Sequence, residues 1–333
     1  MKPFAYTRAS DAQGAIQVVT RERTAKFLAG GTNLVDLMKE GVEQPDRLVD
    51  INRLEMARIE EQPDGSLRLG ALARNSDTAN HSLVRTRFPL VTQAILAGAS
   101  GQLRNAATNG GNLMQRTRCF YFYDVNSRCN KREPGSGCDA IEGFNRIHAV
   151  FGASQQCIAT YPGDMAQALY ALDAVVRVRG QEGERTIPVT EFHRLPGDAP
   201  QQDTNLKHGE LITAIDLPAA SARFASRSYY LKVRDRASYA FALVSVAAAL
   251  DVEGSQIRQA RITLGSVAHK PWRAAEAERI LTGARADEAT FRRAAEAAMQ
   301  GAQPYEHNRY KVEMTKRAVV RALTVAAGGG VNA

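Results

Sequence analysis

The cysteines of this chain are confined to one short segment. Cys119, Cys129, Cys138 and Cys157 are the only four in the sequence, and their spacing is C-x9-C-x8-C-x18-C. The segment shows little helical or strand periodicity and is rich in Arg, Lys, Gly and Tyr. Because such an irregular segment can wrap around a metal centre, the pattern favours a site with four thiolate ligands.

Several kinds of site fit four clustered cysteines. Structural zinc sites usually use cysteine pairs separated by about two to four residues, and this chain has no such pair. Well-separated thiolates suit a cuboidal [4Fe–4S] cluster, which takes one ligand at each iron. A large chain for which we expect no signal peptide is untypical of a disulfide-stapled secreted scaffold. At this point the cluster, zinc, disulfides and unrelated free thiols all remain open.

Composition indicates a globular enzyme or enzyme subunit. Hydrophobic residues make up 44% of the 333 residues and charged residues 23%, and this length suggests two or three domains. The net charge is +8, but the basic residues are scattered among acidic ones, so we expect no nucleic-acid partner. The longest nearly apolar run, Tyr239–Leu250, is too short for a membrane span.

Basic residues accompany the cysteines. They could offset the negative charge of a thiolate-ligated cluster, meet an acidic partner, or form a solvated surface. These residues are Arg116, Arg118, Arg128, Lys131, Arg132 and Arg146.

The order of predicted elements indicates an α+β fold. Strands and helices alternate in the first third, with Ser10 as the predicted N-cap of a helix through about Arg23. A single helix is predicted from Ser82 to Ala97. From Ser228 onward the pattern changes to long antiparallel strands followed by helices.

This change of pattern divides the chain. We predict a two-lobed α/β domain over residues 1–225, with subdomains at about 1–55 and 56–225 and a cysteine insert at 119–157. A domain of antiparallel sheet plus helices follows over 226–327, and 328–333 is a predicted tail.

Two glycine loops indicate binding of a dinucleotide. The first, Gly30-Gly31-Thr32-Asn33, lies between a predicted strand and a predicted helix, and the second, Thr108-Asn109-Gly110-Gly111-Asn112, follows much later. Glycines let backbone N–H groups approach an anion closely. Neither loop matches the Rossmann pattern or a P-loop, and one G-G-T turn alone is weak. Together, the two loops could hold one pyrophosphate from two sides.

Six sequence segments, in order, resemble the FAD-binding subunits of the xanthine oxidase (molybdenum hydroxylase) family. They are AGGTNL, TNGGNL, ATYPGDMAQALYALDA, GELITAIDLP, YLKVRDRASYAFALVSVA and VAHKPWRA. The resemblance covers nearly the whole chain and implies a PCMH-type FAD-binding domain followed by a CO dehydrogenase flavoprotein-like C-terminal domain. The cysteine insert resembles that of aldehyde oxidoreductases and hydroxybenzoyl-CoA reductases, where it holds a [4Fe–4S] cluster. With GQLRNAAT, QRTRC, CNKR and PGSGC, the chain is most similar to flavin subunits of bacterial periplasmic aldehyde oxidoreductases.

The resemblance implies roles for individual residues. Asp164 would be a polar flavin contact, Ile187 and Ile212 would lie beside the ring system, and Lys232 would lie near the flavin. Cys119, Cys129, Cys138 and Cys157 would ligate the cluster. The FAD pyrophosphate would be bound by Lys26, Phe27, Leu28, Ala29, Gly30, Gly31, Thr32, Asn33, Leu34, Thr108, Gly111 and Asn112.

The resemblance also implies a function. A large partner subunit would carry the molybdenum cofactor, and a small partner with [2Fe–2S] clusters would pass electrons to FAD on this chain and then to an external acceptor. No catalytic residue is predicted in this chain, because His148, His193, His208, His269 and His307 are scattered and read as structural or surface residues.

Three alternatives remain at this point. The chain could serve another molybdenum hydroxylase, of the xanthine dehydrogenase or hydroxybenzoyl-CoA reductase type. It could instead be a stand-alone flavin oxidoreductase with structural zinc, or a non-catalytic cluster-bearing module. The resemblance implies a periplasmic complex exported on a partner's signal, with a cytoplasmic location as the alternative.

Overall fold

A computed structural model describes residues 1–328 of the chain. The predicted α+β architecture is confirmed: two lobes form the first domain, and an antiparallel sheet with helices follows them. Gly328 follows the last helix, and the rest of the predicted tail lies outside the described residues. Within residues 1–328, no helix combines the length and the apolar character that crossing a membrane requires.

The N-terminal lobe is a parallel sheet in the order β1-β3-β2. Parallel neighbours need crossover connections, and helices supply them here. The N-cap of α1 is Asp11, whose carboxylate accepts a hydrogen bond from the Gly14 N–H at 2.8 Å, so the prediction of Ser10 was wrong. The elements are β1 (Ala5–Arg8), α1 (Ala12–Arg21), β2 (Lys26–Leu28), α2 (Leu34–Lys39) and β3 (Arg47–Asp50).

The second lobe is built on an antiparallel sheet in the order β4-β5-β8-β6-β7. The Asp216 carboxylate joins three of its strands, because it pairs with Arg68 on β5 at 2.8 Å and with Arg177 on β6. The strands are β4 (Ile59–Glu61), β5 (Leu67–Gly70), β6 (Val175–Gly180), β7 (Gly183–Pro188) and β8 (Leu211–Leu217).

Short helices cover this sheet. The single helix predicted over 82–97 is in fact two, because Pro89 has no N–H for a continuing helix and disfavours helical geometry at Phe88. The second glycine loop proves to be a short helix capped by Thr108. The helices are α3 (Asn75–Asn80), α4 (Ser82–Arg87), α5 (Pro89–Ala97), α6 (Gly101–Ala106), α7 (Asn109–Leu113), α8 (Phe120–Tyr123), α9 (Met165–Ala171) and α10 (Val189–Phe192).

The C-terminal domain is a sheet in the order β12-β11-β10-β9, joined to the second lobe through a 3-10 turn at Ala219–Phe224. The elements are β9 (Ser228–Val233), β10 (Val244–Glu253), β11 (Gln256–Gly265), β12 (Trp272–Arg273), α11 (Ala275–Leu281), α12 (Glu288–Ala298) and α13 (Tyr310–Ala327).

Strand β10 is buried on both faces and fastens the two domains together. Val246 and Leu250 belong to the core under the C-terminal helices, whereas Ala247 and Ala249 belong to the core of the second lobe. Because successive strand residues point to opposite faces, this alternation explains why an almost uniformly apolar run forms a strand here.

Helix α13 also holds the end of the cysteine segment. The Lys311 side chain is fully buried, and its ammonium donates to the carbonyls of Ile147, His148 and Ser266 at 2.9, 3.0 and 2.7 Å. Burial, together with the charge of Arg146, lowers the pKa of Lys311 to about 7. Three carbonyl acceptors match the three N–H donors of the ammonium, so this lysine on α13 joins the cysteine segment to Ser266, the residue after β11.

We predict that Lys311→Met lowers the free energy of unfolding by roughly 2 kcal/mol, because buried carbonyls left without donors cost about 1–3 kcal/mol each. Urea unfolding at about pH 6, where the ammonium is protonated, measures the change. Lys316→Met is the matched control on the same helix, since it removes only the surface ion pair with Glu296 and should cost less than about 1 kcal/mol. Equal losses for both variants would contradict the assigned role of Lys311.

Candidate functional site

A large cleft opens between the two lobes of the first domain. It encloses about 680 Å³, within the range of about 300–1,000 Å³ that is usual for ligand sites. Residues 25–34, at the end of β2 and the start of α2, form one wall. The start of α7 lies on the other wall, together with residues 201–204 and 206–212 of the loop into β8 and the beginning of that strand. The cleft therefore lies where the two glycine loops meet.

Gly30 allows the first loop to pack against the backbone that leads into the second loop. A Cβ atom on Gly30 would lie 2.0 Å from the carbonyl oxygen of Ala106, which is a severe clash with backbone. The next residue, Gly31, has a φ of +72°, in the left-handed region that favours glycine. Glycine is therefore needed at the two positions for different reasons: Gly30 permits the close approach of backbones, and Gly31 permits the turn into α2.

Asn33 presents an unpaired donor to the cleft. Its Oδ1 accepts the N–H of Arg116 at 3.0 Å, which fixes the side chain. Its Nδ2 is buried and has no hydrogen-bond partner among the described residues. Since a buried donor without a partner is costly, and Asn33 lines the cleft, this amide is suited to bind an acceptor atom of a ligand. The cleft residues therefore fit the pyrophosphate of a dinucleotide.

The structure places only some of the predicted flavin residues at the cleft. Residues 26–34 line it, together with Thr108, Gly111 and Ile212. Asn112 and Ile187 are not part of the lining: the Asn112 amide instead donates to Asn75 Oδ1 at 2.9 Å, and Ile187 is buried in the second-lobe core. Their contacts with flavin stay predictions.

Asp164 and Lys232 form a buried pair outside the cleft lining. The Lys232 ammonium lies 2.8 Å from Asp164 Oδ2, and the hydroxyl of Tyr230 donates to Asp164 Oδ1 at 2.6 Å. The side chain of Lys232 is 4% exposed. The structure brings together two residues that the sequence predicted separately, and their placement beside the flavin remains a prediction.

A second, small cavity is lined by all four cysteines. Cys119, Cys129 and Cys157 are buried, Cys138 is half-buried, and none forms a disulfide. A backbone bridge pairs Cys129 with Cys138, which brings the middle two thiols to one side of the cavity. The four thiols, well separated in sequence, thus converge on one enclosed space.

Aromatic side chains of α8 have unequal roles at this cavity. Phe122 is fully buried and lines it, as does Tyr121, whereas Phe120 is 54% exposed. The Arg116 guanidinium lies over the Phe122 ring at 4.7 Å. The cavity is therefore shielded on one side by aromatic rings.

Burial disfavours the ionised forms of the Cys119 and Cys157 thiols. Burial, together with the neighbouring thiols Cys157 and Cys129, raises the pKa of Cys119 to about 12. Burial likewise raises the pKa of Cys157 to about 11, although the charge of Lys131 opposes the shift. Iron or zinc would supply the compensating positive charge, because both bind thiolates.

Residues 1–328 contain no group of three or more His, Cys, Asp or Glu side chains gathered closely enough to hold a single metal ion. A [4Fe–4S] cluster has a different requirement, because each of its four thiolates binds a separate iron at a corner of the cluster. Four thiols placed around one cavity fit that requirement.

Ion pairs connect the cleft with the cysteine cavity. Glu43 pairs with Lys26 at 2.9 Å and with Arg116 at 2.5 Å. Asp203 then pairs with Arg116 at 2.9 Å and with Lys131 at 2.5 Å. Glu43, Arg116 and Asp203 line the cleft, whereas Lys131 lines the cysteine cavity.

Asp203 is ionised in this arrangement. Burial alone would raise its pKa, but the charges of Lys131 and Arg116 outweigh burial and hold the pKa well below 3.8. These pairs therefore contribute their full stabilisation of the fold above pH 3.8, the usual pKa of an aspartate. The contribution is lost as the pH falls through the lower pKa that Asp203 has in the folded protein.

Sequence reasoning missed three residues that the structure places at these sites: Glu43, Asp203 and His148. His148, expected to be structural or on the surface, is 1% exposed, and its Nε2 lies 3.1 Å from Cys119 Sγ. The position of His148 inside the cysteine segment was a usable signal. Asp203 carried none, because it lies in a stretch that reads only as a loop.

We predict that Gly30→Ala releases the bound dinucleotide, since the added methyl group would force the two loops apart. Flavin absorbance per chain after purification measures the occupancy. Gly101→Ala is the control, because a Cβ there meets nothing within 4 Å. Full flavin occupancy in Gly30→Ala would contradict the assignment of this junction to the pyrophosphate.

Comparisons with known proteins agree with this geometry. Residues 2–220 match the family model described as the FAD binding domain in molybdopterin dehydrogenase, and residues 229–326 match the CO dehydrogenase flavoprotein C-terminal domain. The chain is 49% identical over 328 residues to the aldehyde oxidoreductase FAD-binding subunit PaoB of Escherichia coli (strain K12), covering 98% of this chain and 99% of the relative. It is 27% identical to the glyceraldehyde dehydrogenase medium chain of Sulfolobus acidocaldarius, with 97% and 96% of the two chains covered.

Solved structures show the same fold. Carbon monoxide dehydrogenase from Hydrogenophaga pseudoflava has a chain that superposes with a TM-score of 0.77 at 26% identity, covering 99% of this chain and 100% of that one. Full-length matches to both domain models and to an oxidoreductase subunit at 49% identity lead to one conclusion: the chain belongs to the FAD-binding subunits of the molybdenum hydroxylase family and is an oxidoreductase subunit.

Proposed function

We propose that this chain is the FAD- and [4Fe–4S]-carrying electron-transfer subunit of a molybdenum-containing aldehyde oxidoreductase. The observation that carries the proposal is the convergence of four free thiols on one cavity, joined by ion pairs to the flavin cleft. The 49% identity to an aldehyde oxidoreductase subunit supports the aldehyde as the substrate of the complex.

The cleft residues would hold FAD. Residues 26–34 with Thr108 and Gly111 would surround its pyrophosphate, and the free Nδ2 of Asn33 would donate to one of its acceptor atoms. When bound, FAD supplies the redox chemistry for accepting electrons and delivering them to an external acceptor. The chain's own contribution is to bind and orient it.

Cys119, Cys129, Cys138 and Cys157 would ligate the cluster. The hydrophobic cluster around the cysteines is small, and the large side chains fully buried in it include Phe122 and Ile158, the residue after Cys157. Metal ligation would therefore supply much of its order. We propose that the cluster matters at least as much for folding and assembly as for electron flow.

We propose that the working form is a complex with a large molybdenum-cofactor subunit and a small [2Fe–2S] subunit. In it, electrons from the aldehyde would reach this chain from the small subunit. We further propose that the complex is periplasmic and exported on a partner's signal. Fractionation of cells expressing the whole complex tests the location.

Metal and flavin content of the purified chain tests the cofactor assignment. Prepared anaerobically, the chain should contain close to one FAD together with about four irons and four acid-labile sulfides, as a cuboidal cluster requires. Zinc in place of iron, with no labile sulfide, would establish a zinc site and contradict the proposal.

We predict that Cys138→Ser lowers the yield of assembled complex more than the aldehyde turnover of each complex that does assemble. The reason is that removing one ligand withdraws the metal on which the segment depends. Yield and turnover per assembled complex are measured separately. Val125→Ser is the control in the same segment, since Val125 is 50% exposed and lies outside the cavity lining. Normal yield with abolished turnover would show instead that the cluster is an obligatory electron relay.

We predict that Asp203→Asn lowers both the flavin and the iron content of the chain. The substitution removes the charge shared by Arg116 at the cleft and Lys131 at the cysteine cavity, and uncompensated buried cations are costly. Asp216→Asn is the matched control, because Asp216 also joins two arginines but belongs to the sheet. Both variants should lose stability, and only Asp203→Asn should lose cofactors at temperatures where the protein is folded. Equal retention of cofactors in the two would exclude the linking role of Asp203.

A further inference from the structure

One histidine lies against a predicted cluster ligand. His148 is 1% exposed, and its Nε2 is 3.1 Å from the sulfur of Cys119. Its backbone is fixed on both sides: its N–H donates to the Asn145 carbonyl at 3.1 Å, and its own carbonyl accepts from Lys311 and Asn308 at 3.0 and 3.1 Å. These bonds fix the backbone of His148 beside Cys119, and burial keeps its ring out of water.

The protonation state of the sulfur determines which of the two atoms donates the hydrogen bond. A metal-bound thiolate has no proton, so it can only accept a hydrogen bond. Nε2 of His148 must then carry the hydrogen. The other ring nitrogen, Nδ1, has no partner among the described residues. In a neutral ring with its proton on Nε2, Nδ1 carries no hydrogen, so no buried N–H group is left without an acceptor.

We propose that His148 is a positioning residue for the cluster: it donates a hydrogen bond from Nε2 to the Cys119 thiolate and thereby raises the reduction potential of the cluster. The inference rests on the proposed function, because it requires a cluster on these cysteines. Reduction adds negative charge to the cluster and its sulfurs, so a donor stabilises the reduced form more than the oxidised form.

Two variants at position 148 test the hydrogen bond. His148→Leu fills similar space without a donor, whereas His148→Gln keeps an N–H at the matching position of the side chain. We expect His148→Leu to lower the reduction equilibrium constant of the cluster roughly tenfold, which is about 59 mV for one electron. His148→Gln should stay close to the wild type. EPR-monitored redox titration of the full-length chain measures the potentials, alongside iron and sulfide content.

The outcomes separate this inference from the proposed function. A wild-type chain without labile sulfide would overturn both. Four irons in His148→Leu with an unchanged potential would overturn only the role of His148. If His148→Leu does not hold its cluster, pulsed EPR of the wild-type chain tests the hydrogen bond instead. The chain is labelled with 15N-histidine, and the cluster is measured in its reduced state. A weak coupling to one histidine nitrogen that is lost in His148→Gln supports the hydrogen bond, and absence of coupling in the wild type overturns it.

Discussion

The arrangement of the two sites depends on the ion pairs that the Asp203 carboxylate forms. It lies between Arg116 and Lys131 and so joins the wall of the flavin cleft to the wall of the cysteine cavity. The side chain of Lys131 is 1% exposed, and its ammonium also donates to the Pro200 carbonyl at 2.6 Å. Breaking a buried pair of this kind costs far more than breaking a surface pair, because it leaves a charge without water or a partner. Neither wall can move independently of the other without that cost.

The cysteine segment shows how a stretch with little core of its own is held in place. Polar contacts from distant parts of the chain add to the hydrogen bonds that the segment makes within itself. Asn308 and Lys311 bind its carbonyls from the C-terminal domain, and Asp203 binds Lys131 from the loop before β8. The proposed metal ligation would complete this set from within, since folding and metal binding are coupled in such segments. A single segment is thereby tied to both domains.

The cleft depends on close contact between backbones. Gly30 abuts the backbone at Ala106, and this contact brings the end of β2 next to the start of α7. The sequence showed both glycine loops, and the resemblance to the family's two pyrophosphate motifs indicated that they act together. The folded structure was needed to show that Gly30 permits the contact. It was also needed to show that the second loop is a helix capped by Thr108.

The sequence alone determined the α+β architecture, the two glycine loops and the clustering of the cysteines, because these depend on local pattern and spacing. Residues 26–34, Thr108, Gly111 and Ile212, expected from the family resemblance, do line the cleft. The break at Pro89 was also readable from local rules and was overlooked. The tertiary structure alone decided that Asp164 pairs with Lys232, that Asp203 joins the two sites, and that His148 meets Cys119. These contacts join residues that lie far apart along the chain. Their formation depends on how the lobes pack, and no spacing or periodicity in the sequence records that packing.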